Sequence, residues 1–67
     1  MRYYVNNNAQ NSWDHEVHRT WCVYLPLIVS KTYLGDYESC WPAKAKGKTI
    51  YASSDGCAYC SSACHTG

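Results

Sequence analysis

Gly56-Cys57-Ala58-Tyr59-Cys60-Ser61-Ser62-Ala63-Cys64-His65 gathers three of the chain's five cysteines and one of its three histidines into a single short segment. The turn length of Cys57-x2-Cys60 directs both thiolates at one ion, about 2.3 Å from each sulfur when the ion is zinc. Cys64 and His65 follow at once, and upstream His18-x3-Cys22 supplies a second pair at workable spacing. The candidate metal ligands are therefore Cys22, Cys57, Cys60 and Cys64, with His18 or His65 as alternates for one thiolate. The competing reading is a disulfide framework, in which an odd total of five leaves one thiol over. Cys40, remote from the C-terminal group, is the odd one out under a four-cysteine zinc site. Under the disulfide reading two bridges and one free thiol are expected, with a connectivity that sequence does not rank. A zinc staple suits the reducing cytoplasm and a disulfide staple an extracellular setting.

Some staple is needed because the chain has only 67 residues. Folding a chain of this size hides about 6,700 Å², and if about 60% of that is apolar its burial at ~25 cal/mol per Å² is worth roughly 100 kcal/mol. Ordering the residues at ~1.5 kcal/mol each costs about the same. One domain is the only architecture that fits. No apolar run approaches the roughly 20 residues of a membrane span, and the N-terminus carries no apolar signal-like run. A net charge of +1 argues against binding dominated by phosphate neutralisation, so nucleic acid ranks last among partners.

Working outward from the cysteine-rich end, Tyr3 to Val5 reads as a first strand ending in the Asn6-Asn7-Asn8 turn. His15 to Arg19 alternates as a second strand, with His15, Val17 and Arg19 on one face and Glu16 and His18 on the other, continuing towards Tyr24 until Pro26 stops it. Lys31 to Leu34 is a third strand followed by a Gly35-Asp36 turn or bulge. Between Ser39 and Tyr51 the pattern becomes helical. Ala43, Gly47, Ile50 and Tyr51 face the sheet, Lys44 and Lys48 stay solvated, and Pro42 falls in the first turn, where a missing N–H costs little. The expectation is an α+β fold: three short antiparallel strands, one helix packed on them and a C-terminal Cys-rich knuckle.

Tyr3-Tyr4-Val5-Asn6, Ala9-Gln10, Asp14-His15-Glu16-Val17-His18, Cys22, Leu25-Pro26, Tyr33-Leu34-Gly35, Cys40, Ala43, Lys48, Tyr51 and the Gly56-Cys57-x-Tyr59-Cys60-x3-Cys64-His65 run together resemble a group of short bacterial Cys/His-rich proteins. The resemblance spans nearly the whole chain and implies no activity. In that pattern glycine precedes Asp14 and Cys22, an apolar residue stands at Lys44, alanine stands at Gly47, and a short polar loop follows the Leu-Pro pair. Here those places hold Trp13, Trp21, Lys44, Gly47 and Leu27-Ile28-Val29. Large apolar groups at turn positions lower solubility and do nothing for folding, whereas selection for binding favours rigid aromatic anchors.

The composition points the same way, with seven tyrosines and three tryptophans but no phenylalanine. Tyr and Trp are the aromatics enriched at recognition surfaces. The expected function is a non-enzymatic protein-binding module, an engineered scaffold presenting Trp13, Arg19, Trp21, Tyr24, Leu27, Ile28, Val29 and Trp41 to a protein target. Its alternative is a natural-type structural zinc domain whose tryptophans are core. Such a surface also allows self-association. Catalysis is not expected. His15-Glu16-Val17-His18 is one residue short of a zincin motif, its histidines face opposite ways on a strand, and so small a chain has no room for a pocket of ~300 Å³ or more beside its core.

Overall fold

A computed structural model of the chain describes residues 1–9 and 13–66. Gln10, one of the residues that carry the resemblance, lies outside them. The tyrosine and valine run forms β1 (Arg2–Asn6) and the alternating His-Glu-Val-His-Arg segment forms β2 (His15–Arg19). β3 spans Lys31–Asp36, α1 spans Cys40–Ile50 and β4 spans Ser54–Gly56, with 3-10 turns at Leu25–Leu27 and Ser62–Cys64. The four strands lie in the order β3-β1-β2-β4. β1 runs antiparallel to both β2 and β3, and β4 runs parallel to β2. The fold is thus α+β with one helix on a mixed sheet, and four strands stand where three were expected.

Register assigns each strand residue to a face. Val5 opposes Val17, and both are fully buried with Tyr3, Leu34, Cys40, Ala43 and Cys64 in the core beneath α1. Tyr4 opposes His18 on the reverse face, because adjacent strand residues point to opposite sides. The β1–β3 pairing shifts between Tyr3 and Tyr4, so that Leu34 has no Cα partner. Gly35, next to this bulge, has φ 131°, a conformation that side chains rarely adopt, and a Cβ there would meet the Tyr37 ring at 3.0 Å.

Two expectations about strands are corrected. The second strand stops at Arg19 rather than running towards Tyr24: Thr20 and Trp21 turn, with Trp21 at φ 73°, and Leu25–Leu27 wind into a single 3-10 turn that Pro26 accommodates. β4 went unread because Ser54-Asp55-Gly56 has none of the β-branched or aromatic character that marks a strand. Its position holds it instead. His15 donates its backbone N–H to the Ser53 carbonyl at 3.1 Å, Cys57 donates to the Val17 carbonyl at 3.0 Å, and all three β4 residues are buried.

α1 needs a small residue where it crosses the sheet, since a Cβ on Gly47 would lie 3.2 Å from Val17 Cγ2 and 3.3 Å from Ser54 Oγ. The buried helix residues are Cys40, Ala43, Lys44 and Gly47, whereas Ile50 is exposed and Tyr51 caps the C-terminus half-buried. Tyr51 stacks on His15 with ring centroids 3.8 Å apart, and its hydroxyl donates to Asn7 Oδ1 at 3.0 Å. Lys44 was expected in solvent and is 7% exposed. Its Nζ lies 2.9 Å from Asp55 Oδ1 and donates to the Cys64 carbonyl at 2.9 Å, joining helix, β4 and C-terminal segment. Burial pushes the Asp55 carboxyl up, and donors from Lys44, Thr66 and Gly56 outweigh it and hold the group at about 2.

Removing one partner of such a pair leaves the other charge buried and unmatched, at a cost of about 3 kcal/mol. Lys44→Met should lower unfolding stability by that amount in a denaturant titration at neutral pH. Because the folded Asp55 carboxyl titrates below its ordinary 3.8, its contribution is whole above about pH 4 and fades as pH falls towards 2. The stability gap between parent and variant should therefore narrow over that window, and an unchanged midpoint at neutral pH would show the pair to be dispensable.

Candidate metal centre

The reverse face of the sheet has little apolar cover. β2 presents Glu16 and His18 there, the turn after β2 brings Cys22 back over the strand, and the turn after β4 brings Cys57 and Cys60 up beside it. The Cys22 backbone N–H bonds the Arg19 carbonyl at 3.1 Å, and Ser61 N–H bonds the Cys57 carbonyl at 2.9 Å, closing both turns. Arg19 pins the second turn to the strand, donating from Nε to the Cys60 carbonyl at 3.3 Å.

The result is a cluster of one imidazole nitrogen and three sulfurs, from His18, Cys22, Cys57 and Cys60, all within 4.8 Å of one another. His18 Nδ1 stands 3.6 Å from Cys22 Sγ and 3.9 Å from Cys60 Sγ. A tetrahedral ion with bonds of about 2.3 Å to sulfur and about 2.0 Å to nitrogen has N···S edges of about 3.5 Å. The cluster therefore has the size and donor set of a structural metal site. Burial, with the Cys22 sulfur beside it and Cys57 close by, pushes the Cys60 thiol up to about 12. Burial also lowers the His18 pKa, which keeps the imidazole in its neutral, ligating form. Among the described residues, His18 Nε2 is the one buried side-chain nitrogen or oxygen without a hydrogen bond.

Of the expected ligands, Cys22, Cys57 and Cys60 come together, and Cys64 does not. The Ser62–Cys64 turn carries it round to the helix side, where it is fully buried in the core and bonded to Cys40 across a Cα separation of 6.2 Å. The alternate His18 takes the fourth place. His65 lies elsewhere, its Nδ1 being 3.0 Å from the Gly56 carbonyl and 3.4 Å from Asp55 Oδ2. The donor cluster and the disulfide thus use different cysteines, and Cys40 is bonded rather than odd. The signal for His18 lay in the alternation that set Glu16 and His18 on the same strand face. Nothing comparable marked Cys64 for the opposite side.

The expected binding residues divide. Trp13 is 81% exposed, Trp21 83%, Leu27 74% and Val29 96%, with Tyr24 and Trp41 about half exposed. Ile28 is buried, at the groove beside His18 and Cys57 rather than out in solvent. Arg19 is half-buried and spent on the Cys60 and Thr20 carbonyls. Tyr24, Leu27, Ile28 and Val29, with Tyr59 opposite, wall an open groove of about 770 Å³, and Glu16, His18 and Cys57 lie along it. A groove of that size overturns the expectation that the chain has no room for one: the loop from Tyr24 to Val29 and the turn after β4 frame it. None of the three tryptophans lines it. Among the described residues, no helix is long and apolar enough to cross a membrane.

No family model, curated protein or solved structure matches this chain.

The cysteine states give a direct test. Unfolding in a chelator without reductant, followed by alkylation, should modify Cys22, Cys57 and Cys60 and leave one hydrogen pair missing from the mass, assigned by peptide mapping to Cys40 and Cys64. Five reactive thiols would remove the bridge, and one would remove the cluster.

Proposed function

We propose that this chain is a non-enzymatic protein-binding module, a zinc-held scaffold that presents aromatic and aliphatic loop side chains to a protein target. The zinc half rests on the His18, Cys22, Cys57 and Cys60 cluster. Three thiolates and one imidazole select a soft or borderline divalent ion over magnesium or calcium, and four protein ligands leave no open position for catalysis at the ion. The ion links β2 and the turn after it to the turn after β4.

The binding half rests on a single observation: Trp13 and Trp21, the two most exposed aromatic residues, both adopt positive φ, at 67° and 73°. That region costs a residue other than glycine about 1–2 kcal/mol, and a bulky residue there is an outlier. At over 80% exposure neither indole recovers the cost through burial. Stability favours glycine at both places, so the tryptophans serve something outside the fold. Selection for contact with a partner, natural or engineered, supplies the reason.

Each half has its own measurement. Native mass spectrometry of protein prepared with zinc should show one ion per chain, and a chelator should lower the melting temperature with the disulfide intact; Cys57→Ser should lose both effects. Trp13→Gly and Trp21→Gly should be at least as stable as the parent, by up to about 1 kcal/mol in thermal denaturation. Against a captured protein partner, each should bind at least about tenfold more weakly by titration calorimetry. Stability lost on either substitution would return that tryptophan to the fold, and parental affinity in both would remove the binding role.

A further inference from the structure

The cluster raises a question that its ligands do not answer. His18 is 1% exposed, and its two ring nitrogens have different surroundings. Nδ1 faces the sulfurs of Cys22 and Cys60. Nε2 faces away from them, is buried, and makes no hydrogen bond. The nearest charged oxygen is Glu16 Oε1 at 3.4 Å, within ion-pair reach yet outside good hydrogen-bond geometry.

A neutral imidazole has one lone pair for a metal and one N–H. With Nδ1 on the ion, the proton sits on Nε2, and a buried N–H without an acceptor costs about 1–3 kcal/mol. Glu16 is placed to be that acceptor. It lies two residues from His18 on the same strand, so the period of two puts both side chains on one face. Its own side chain is 26% exposed and lies along the groove.

We infer that Glu16 is the outer-sphere acceptor of this centre, holding His18 in the Nε2–H form and thereby aiming Nδ1 at the ion. The inference rests on the zinc reading above and deepens it. Glu16 touches no metal. It is a positioning residue, and a short shift of its carboxylate towards Nε2 completes a carboxylate–histidine–metal relay. The second role open to it, a solvated group at the rim of a groove, makes no demand on the tautomer of His18.

The test uses the full chain with its disulfide intact and Co²⁺ as the probe. Competition against a chromophoric chelator gives affinity, thiolate-to-cobalt absorption reports the three sulfurs, and ¹⁵N imidazole spectra of the diamagnetic Cd²⁺ form report the tautomer. The parent should bind one Co²⁺ and show His18 protonated at Nε2 with Nδ1 on the metal. Glu16→Ala should weaken binding by about 10- to 100-fold while its saturated absorption spectrum stays that of three thiolates. Glu16→Gln, which keeps an acceptor oxygen at the same place without the charge, should recover part of the loss. Parental affinity in Glu16→Ala would overturn the inference and assign the Nε2 proton to groove water, leaving the zinc reading intact. Nε2 bound to cadmium with Nδ1 protonated would overturn it too. A parent that takes up no Co²⁺ would overturn both readings.

Discussion

A single sheet has two faces, and a chain this short can cover only one of them with apolar residues. That constraint shapes the molecule. α1 takes the face bearing Tyr3, Val5 and Val17, and the core there is small enough to recruit a disulfide and a buried lysine. The other face, with Tyr4, Glu16 and His18, receives no element of its own. It receives the turns after β2 and β4, which bring four donor groups together over it. β2 joins the two solutions, because its alternation sends Val17 to one and His18 to the other.

The buried pair between Lys44 and Asp55 shows how polar groups can stand in for missing hydrocarbon. Lys44 reaches Asp55 and the Cys64 carbonyl together, while Asp55 also accepts from the Thr66 backbone and hydroxyl. Each charge is matched and each remaining lone pair has work, which is the condition under which a buried ion pair repays its desolvation. The price is intolerance: losing any one member strands the others.

What was legible in the sequence follows from which forces are local. Aromatic and β-branched runs marked β1 and β3, period-two alternation marked β2, and the change to spacings of three and four marked α1, because such patterns record what a pleated or helical surface buries. Ser54-Asp55-Gly56 left no such record, since β4 is made a strand by its neighbours. Lys44 looked solvated because a charge normally is, and its partner lay eleven residues away in a segment without regular pattern. Cys22, Cys57 and Cys60 were readable from spacing alone. The partition of Cys64 and His18 between the two staples was not, because it depends on the 3-10 turn at Ser62–Cys64 that swings the chain round to the helix side. Glycine at the places of Trp13 and Trp21 was part of the resemblance, and the positive φ at both residues supplies an independent physical reason for it.

The two staples are also interlaced along the chain. Cys40 falls between the ligand pairs His18/Cys22 and Cys57/Cys60, and its bonding partner Cys64 falls beyond them. With an ion in place, a peptide bond cut between His18 and Cys64 always leaves both fragments tethered. A nick beside the exposed Leu27 or Val29 is bridged by the metal alone, one between Cys40 and Cys57 by both links, and one between Cys60 and Cys64 by the disulfide alone. A protease that clips the Leu27 to Val29 wall of the groove would therefore release nothing until a chelator removed the ion, with the disulfide playing no part in holding that nick closed.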